Sequence, residues 1–193
     1  LCDGVVSDKH IVGVGFGPAI QLSHGSFGGW QPFGATRQIT RSSANALYEL
    51  DGEPALAIYK KYLGEYAKDL PGSGLLFPFA MLGKDHSETG IIRTILAIDD
   101  AEGSLTLAGD IVEGDYLRLM TASTDALVDG AEAAATAAQK MFKKDEPSLA
   151  LPVSCVGRKL VMGGRVDEEV EAVGEVFGKN AVLTGFYSNG EIS

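Results

Sequence analysis

The chain of 193 residues carries 16 Lys and Arg against 26 Asp and Glu, a formal charge of −10. Its 45% hydrophobic and 22% charged residues are ordinary for a folded soluble chain, and its 25 glycines, with only 7 prolines and no Gly-X-Y period, exclude collagen and low-complexity linkers. The acid excess excludes a phosphate-backbone binder, which needs clustered Lys and Arg, and there is no apolar run of about 18 residues to span a membrane.

In chain order, residues 10–16 read as a strand entering a loop in which Gly13, Gly15, Gly17, Gly25, Gly28, Gly29 and Gly34 cluster. Residues 35–40 and 46–50 are β-prone runs around a polar turn at 41–45, which predicts a hairpin. Asp51-Gly52-Glu53-Pro54 opens a helix whose apolar face is Ala55, Leu56, Tyr59, Tyr62, Leu63, Tyr66 and Leu70, closed by Pro71-Gly72. Residues 75–82 read as a buried strand. Residues 91–98 and 104–111 form a second hairpin around a turn in which Gly103 suits positive φ, and 116–121 is a further strand.

Ser123 caps a helix over 124–142 with an alanine-rich inner face (Ala131, Ala134, Ala135, Ala138) and Lys140, Lys143 and Lys144 at its C-terminal end. Residues 149–156 read as a buried strand that 158–162 extend or reverse. Asp167-Glu168-Glu169 begins a helix ending at Gly178, and 181–187 is the last strand. Two hairpins exclude a purely parallel doubly wound sheet. The expected class is α+β: a largely antiparallel sheet or sheets with about three packed helices, in one domain or two small ones sharing a core.

Familiar motifs fail on spacing. Gly13-Val14-Gly15-Phe16-Gly17-Pro18 places a proline where a dinucleotide fingerprint needs its third glycine, and no helix follows. Gly83-Lys84 is followed by Asp85, so there is no phosphate loop, and no serine sits in a GxSxG elbow. His10, His24 and His86 lack metal-ligand spacing. Between residues 85 and 115, eight acids face one base, Arg93, but without the spacing of a calcium loop; a solvated hairpin face is the expectation. Cys2 and Cys155 cannot form a disulfide framework, and with no signal peptide visible they point to a reducing, cytoplasmic setting.

One constellation stands out. Ser154-Cys155-Val156-Gly157-Arg158 follows the apolar run 149–153, placing a thiol, a glycine and a guanidinium at a strand end. The same residues also suit a structural role, with Cys155 as a small core side chain and Arg158 paired to Glu168 or Glu169. This run, with Gly164-Arg165-Val166-Asp167-Glu168-Glu169 and Gly185-Phe186-Tyr187-Ser188-Asn189-Gly190-Glu191-Ile192, resembles the C-terminal domain of FIST (F-box and intracellular signal transduction) proteins. Ile39-Thr40-Arg41-Ser42 and the run from Asn45 to Leu56 resemble the start of that domain. Residues 1–29 resemble the tail of the companion N-terminal domain, leaving 30–193 as a C-terminal-like domain truncated at its end.

The resemblance implies a non-enzymatic sensory input domain that binds a small ligand, an amino acid among the candidates, and passes the signal to an output partner or domain. On the matching motifs, Cys155, Arg158, Arg165, Tyr187 and Glu191 become the expected ligand-binding residues. Arg158 would meet a carboxylate, Glu191 an ammonium, and Tyr187 would form a wall. Because most of the N-terminal domain is missing, a site shared between domains is expected to be incomplete. The alternatives are a haem-based gas (nitric oxide) sensor with a histidine ligand, as some members of the family are described, and a thiol-based sensor using Cys155 with Arg158 as the neighbouring cation. A general hydrolase is a further, weaker alternative.

Overall fold

A computed structural model describes residues 8, 9, 11–140 and 148–190. Cys2, His10, Lys143, Lys144 and Glu191 lie outside the described residues, together with the expectations placed on them.

Among the described residues, twelve strands and four α-helices follow one another: β1 (Gln31–Ser43), β2 (Ala46–Leu50), β3 (Glu53–Pro54), α1 (Ala55–Leu63), β4 (Phe79–Leu82), β5 (Glu88–Arg93), β6 (Ile95–Asp99), β7 (Ser104–Leu107), β8 (Tyr116–Thr121), α2 (Thr124–Gln139), β9 (Ser148–Ala150), β10 (Val153–Cys155), α3 (Val156–Met162), α4 (Val166–Phe177), β11 (Ala181–Leu183) and β12 (Phe186–Ser188). The class is α+β, as expected. Eight strands form one sheet in the order β5-β4-β8-β1-β2-β7-β6, with β3 added beside β2, and every pairing in it is antiparallel.

β5 and β6 are the outer strands of this sheet, yet only Thr94 separates them in sequence. One residue spans less than 4 Å, so the sheet must roll until its edges meet at Thr94. There the Ala108 amide donates to the Thr94 carbonyl at 2.8 Å. β1 makes the roll possible. Its first half pairs with β8 and its second half with β2, with breaks in register between Pro32 and Thr36 and again between Ile39 and Ser42. The core inside the roll includes Ile39, Leu47, Leu50, Leu105, Leu107 and Leu117, each at most 1% exposed. Each such side chain contributes about 1.5–3 kcal/mol by leaving water. α1 closes the core with Ala55, Leu56, Ile58, Tyr59 and Leu63.

Several expectations change in detail. Residues 11–16 form no strand: Ile11, Val12, Val14 and Phe16 are exposed and have no neighbouring strand to complete a ladder. The first hairpin turn shrinks to Ala44-Asn45, with Ala44 at φ 50. The strand expected over 75–82 is shortened to β4 because buried Pro78 has no amide to give and restricts Phe77; a 3-10 turn, Gly72–Leu76, precedes it. The second hairpin forms between β6 and β7 but is shorter than read: the run 91–98 is cut at Thr94, residues 91–93 belong to β5, and β7 ends at Leu107; in its turn Gly103 takes φ 65 and Asp99 accepts from the Ala101 and Glu102 amides. β8 has the expected bounds, and Ser123 caps α2 by accepting from the Ala126 amide at 3.2 Å.

The C-terminal part differs most. In place of one buried strand over 149–156 and one over 181–187, two short parallel pairs form, β9 with β11 and β10 with β12. The break falls where Pro152 meets Gly185: a Cβ at Gly185 would lie 2.1 Å from the Pro152 carbonyl oxygen. Leu183 packs against the helices and Ala150, its partner in register, is buried, whereas Leu149, Leu151, Val153, Val182 and Phe186 are exposed. Residues 158–162 neither extend nor reverse the strand; they belong to α3. α2 and α4 pack through Ala131, Ala135 and Val173, with Val176, Phe177 and Leu183 beside them. Among the described residues, no helix is long and apolar enough to cross a membrane.

Candidate functional site

The constellation singled out in the sequence folds around the first turn of α3. Cys155 takes the N-cap position with extended backbone, and its Sγ accepts from the Arg158 amide at 3.4 Å, the role Ser, Thr or Asp oxygens usually play. This cap turns the chain from β10 into α3 and drives the Arg158 side chain inward. Arg158 is buried, and its guanidinium is engaged on every nitrogen. Nε donates to Ser154 Oγ (3.2 Å) and Glu169 Oε2 (2.9 Å). Nη1 donates to the Gly28 carbonyl (2.7 Å). Nη2 donates to the Leu127 carbonyl (2.7 Å) and Glu169 Oε2 (2.5 Å).

Of the two carboxylates that could have paired with Arg158, Glu169 does so; Glu168 turns to Arg165. Arg158 therefore joins four segments, and its fork faces Glu169 and main-chain carbonyls. The Gly28 carbonyl reaches it because the glycine loop lies directly on α2: a Cβ at Gly29 would sit 2.4 Å from the Ala126 carbonyl oxygen, and one at Gly130 would sit 3.1 Å from Gly29.

Tyr187 belongs to the same cluster. It pairs in register with Ser154, and the Lys159 ammonium lies 4.9 Å from its ring centre. Burial pushes its phenol up, Glu169 adds to the effect and Arg158 opposes it. Arg165 stands apart. On the surface it donates to Glu168 (2.7 Å, from Nε and from Nη2) and to Asp125 (2.9 Å), clipping the start of α4 to the start of α2. Those hydrogen bonds, Glu168 first, hold its guanidinium above its ordinary value. The structure thus brings together Cys155, Arg158 and Tyr187, separates Arg165, and leaves Glu191 outside the described residues.

A second arrangement lies between β1 and α1. A cleft of about 460 Å3 is lined by Arg37, Glu53, Ala57, Ile58, Lys61 and Tyr62. Arg37 is held in place from two sides: Nη1 donates to Asp51 Oδ2 (3.0 Å) and Nη2 to the Tyr62 hydroxyl (3.1 Å). The bond from Arg37 draws the Tyr62 phenol below its ordinary value, against a smaller opposing effect of burial. Tyr62 also packs edge-on to Phe33, with ring centres 6.3 Å apart, and touches β1 where Gly34 lacks a side chain. Arg37 Nε is buried with no hydrogen-bond partner. Beside it lies a void of about 10 Å3, bounded by Tyr59, Phe79 and other core residues, which shares Arg37, Ile58 and Tyr62 with the cleft.

Sequence reading missed this cleft because Tyr62 fits the apolar period of α1 and Arg37 lies inside a β-prone run. The available signal was the charge at 37, 53 and 61 surrounding the one helix that starts straight after a hairpin. For metals, no group of three or more His, Cys, Asp or Glu gathers among the described residues. His24 and His86 are exposed, and the His86 ring lies against Tyr116 at 3.9 Å between centres.

Comparison with protein families sets both arrangements in context. The FIST N domain matches residues 1–53 and the FIST C domain residues 55–193. These are domains of signal-transduction sensors. The chain belongs to the FIST family. No curated protein and no solved structure matches it. The two matches meet at β3 and α1, so the cleft takes Arg37 and Glu53 from the first and Ala57, Ile58, Lys61 and Tyr62 from the second. Arg158 crosses the same seam through its bond to Gly28.

Proposed function

We propose that this chain is the sensory input part of a signalling protein, binding a small ligand such as an amino acid without transforming it and passing the bound state to an output domain or partner. The observation that supports this most is the position of the cleft on the seam between the FIST N and FIST C matches. Ligand pockets favour such seams, because a ligand held by both sides changes how they sit together. Cys155, Arg158 and Tyr187 act in this reading as the joint that carries a change at the seam into α2 and α4. Arg165 clips the same two helices at the surface. A non-enzymatic role agrees with the way Arg158 and Glu169 satisfy each other. The free thiol of Cys155 suits a cytoplasmic setting.

Calorimetry of the chain against each of the twenty amino acids tests the reading. Saturable binding of one or a few of them is the expected result; no binding by any overturns it.

A further inference from the structure

We infer that the bare face of the two parallel strand pairs, β9 with β11 and β10 with β12, is a two-fold interface on which a second copy of this chain packs. The inference stands apart from the cleft and does not depend on the ligand-sensing reading.

The pattern of the strands points this way first. Residues 149–153 and 181–183 are apolar without a break, the pattern of parallel strands covered on both sides and not of strands with one wet face. The helices cover one side only. On the other stand Leu149, Leu151, Val153, Val182 and Phe186, each 45–64% exposed. They form one surface, because register partners in a parallel pair point the same way: Leu149 pairs with Val182 and Val153 with Phe186. Thr184 is the one polar side chain in the same alternation, and no charge falls there in a chain with 22% charged residues.

The size and shape of the face fit its own image. The five side chains expose about 500 Å2, as much as the largest apolar patch of a typical monomer, and such patches mark contact sites. Two of these faces together remove about 1,000 Å2 from water, which reaches the size of a specific interface. A two-fold contact needs a self-complementary surface. Here a tall step and a bare one lie side by side: Phe186 stands next to exposed Gly185, at the break between the two pairs. A two-fold axis sets the Phe186 ring of each copy over the bare step of the other. With no charge on the face, nothing on it repels its own image or selects a charged partner. Each two-stranded pair is marginal alone, and face to face they become a packed double layer about 10 Å thick.

The place of this face gives it a use. Successive residues of a strand point to opposite sides. Val153 and Phe186 lie on the bare face, whereas the next register pair, Ser154 and Tyr187, belongs to the cluster around Arg158. The interface and the Arg158 joint are thus the two sides of one strand pair, so a shift of the joint is felt by the second copy.

The test is sedimentation velocity of the full chain from about 1 to about 200 μM, a range that brackets a micromolar dimer. A reversible monomer–dimer equilibrium is expected. Leu151→Lys and Phe186→Lys, at exposed positions and with circular dichroism as the check of fold, should each weaken the dimer about a hundredfold or more, because each buries an unpaired charge. A chain carrying both lysines should associate with one carrying Leu151→Asp and Phe186→Asp at least about tenfold more tightly than either does with itself. A wild-type chain that stays monomeric throughout overturns the interface, and so does a dimer that both lysine variants leave intact. A dimer lost in the variants and not regained by mixing overturns the packing of this face on itself, and places it against a different surface of the second copy.

Discussion

Arg158 shows how one side chain can look like a ligand reader in sequence and serve another end in the fold. Its donors are spent on Glu169, Ser154 and the carbonyls of Gly28 and Leu127. Truncation to alanine strands the Glu169 carboxylate in a buried place, so Arg158→Ala should cost about 3–5 kcal/mol in chemical denaturation. Arg158→Ala with Glu169→Leu should recover much of that loss, since the stranded charge goes with it. A double variant no more stable than the single one would place the energy in the carbonyl contacts instead. Tyr59 offers a separate test. Its hydroxyl donates to the Phe77 carbonyl at 2.8 Å, and burial pushes its phenol far up. The folded chain keeps that proton after the unfolded chain has lost it near pH 10. Its contribution is therefore complete below pH 10 and is lost as the pH rises further. Tyr187, also raised, adds in the same sense, and Tyr62, lowered, opposes. Tyr59→Phe should flatten the alkaline fall in stability measured by urea titration between pH 9 and about 11, at a cost of about 1 kcal/mol near neutrality.

Among the elements, β1 and α1 depend on each other through Gly34. It has φ 92, and a Cβ there would lie 2.7 Å from the Tyr62 ring. Gly34→Ala therefore meets strain in the backbone and a clash at the wall of the cleft. It should cost about 1–3 kcal/mol and weaken ligand binding more than Tm alone accounts for. The hairpin turns, β8, α2 and α4 were legible because period, caps and turn residues act locally: Ser123, Gly103 and Gly178 each do what their type suggests. α1 was read past its end: Gly64 at φ 56 closes it after Leu63, residues 64–69 form a 3-10 segment, and Tyr66 is exposed. α3 was not legible, since a cysteine cap lies outside the usual set and seven residues are too few to show a period. The split of the C-terminal strands was hidden for another reason. It arises from Pro152 and Gly185 meeting across 33 positions of sequence, and apolar runs alone read as buried. Leu149, Leu151 and Val153 instead stand at the surface because the helices cover only one side of the parallel pairs.

At the scale of the whole chain, the cleft was hidden because it needs the rolled sheet. Arg37, Glu53 and Lys61 are ordinary surface charges in sequence, and only the turn of β1 from β8 to β2, with α1 laid beside it, brings them to one place. The glycine excess is divided in the same way. The third glycine that a nucleotide loop would need is absent, yet Gly29 and Gly34 are among the residues on which the seam depends, one against α2 and the other against Tyr62. The Arg158 joint then bears on how the chain breathes. One guanidinium grips residues 28, 127, 154 and 169, so none of these segments can open far without releasing the others. Amides in α3 and in the middle of α2 should exchange with solvent deuterium through a shared opening event, with matching free energies and matching denaturant slopes. Glu169→Gln, which keeps the shape and removes the charge, should lower the protection of both together. Unequal losses in the two helices would show that they breathe separately. If they open as one, a ligand that tightens the seam would be felt as slower exchange in helices it never touches.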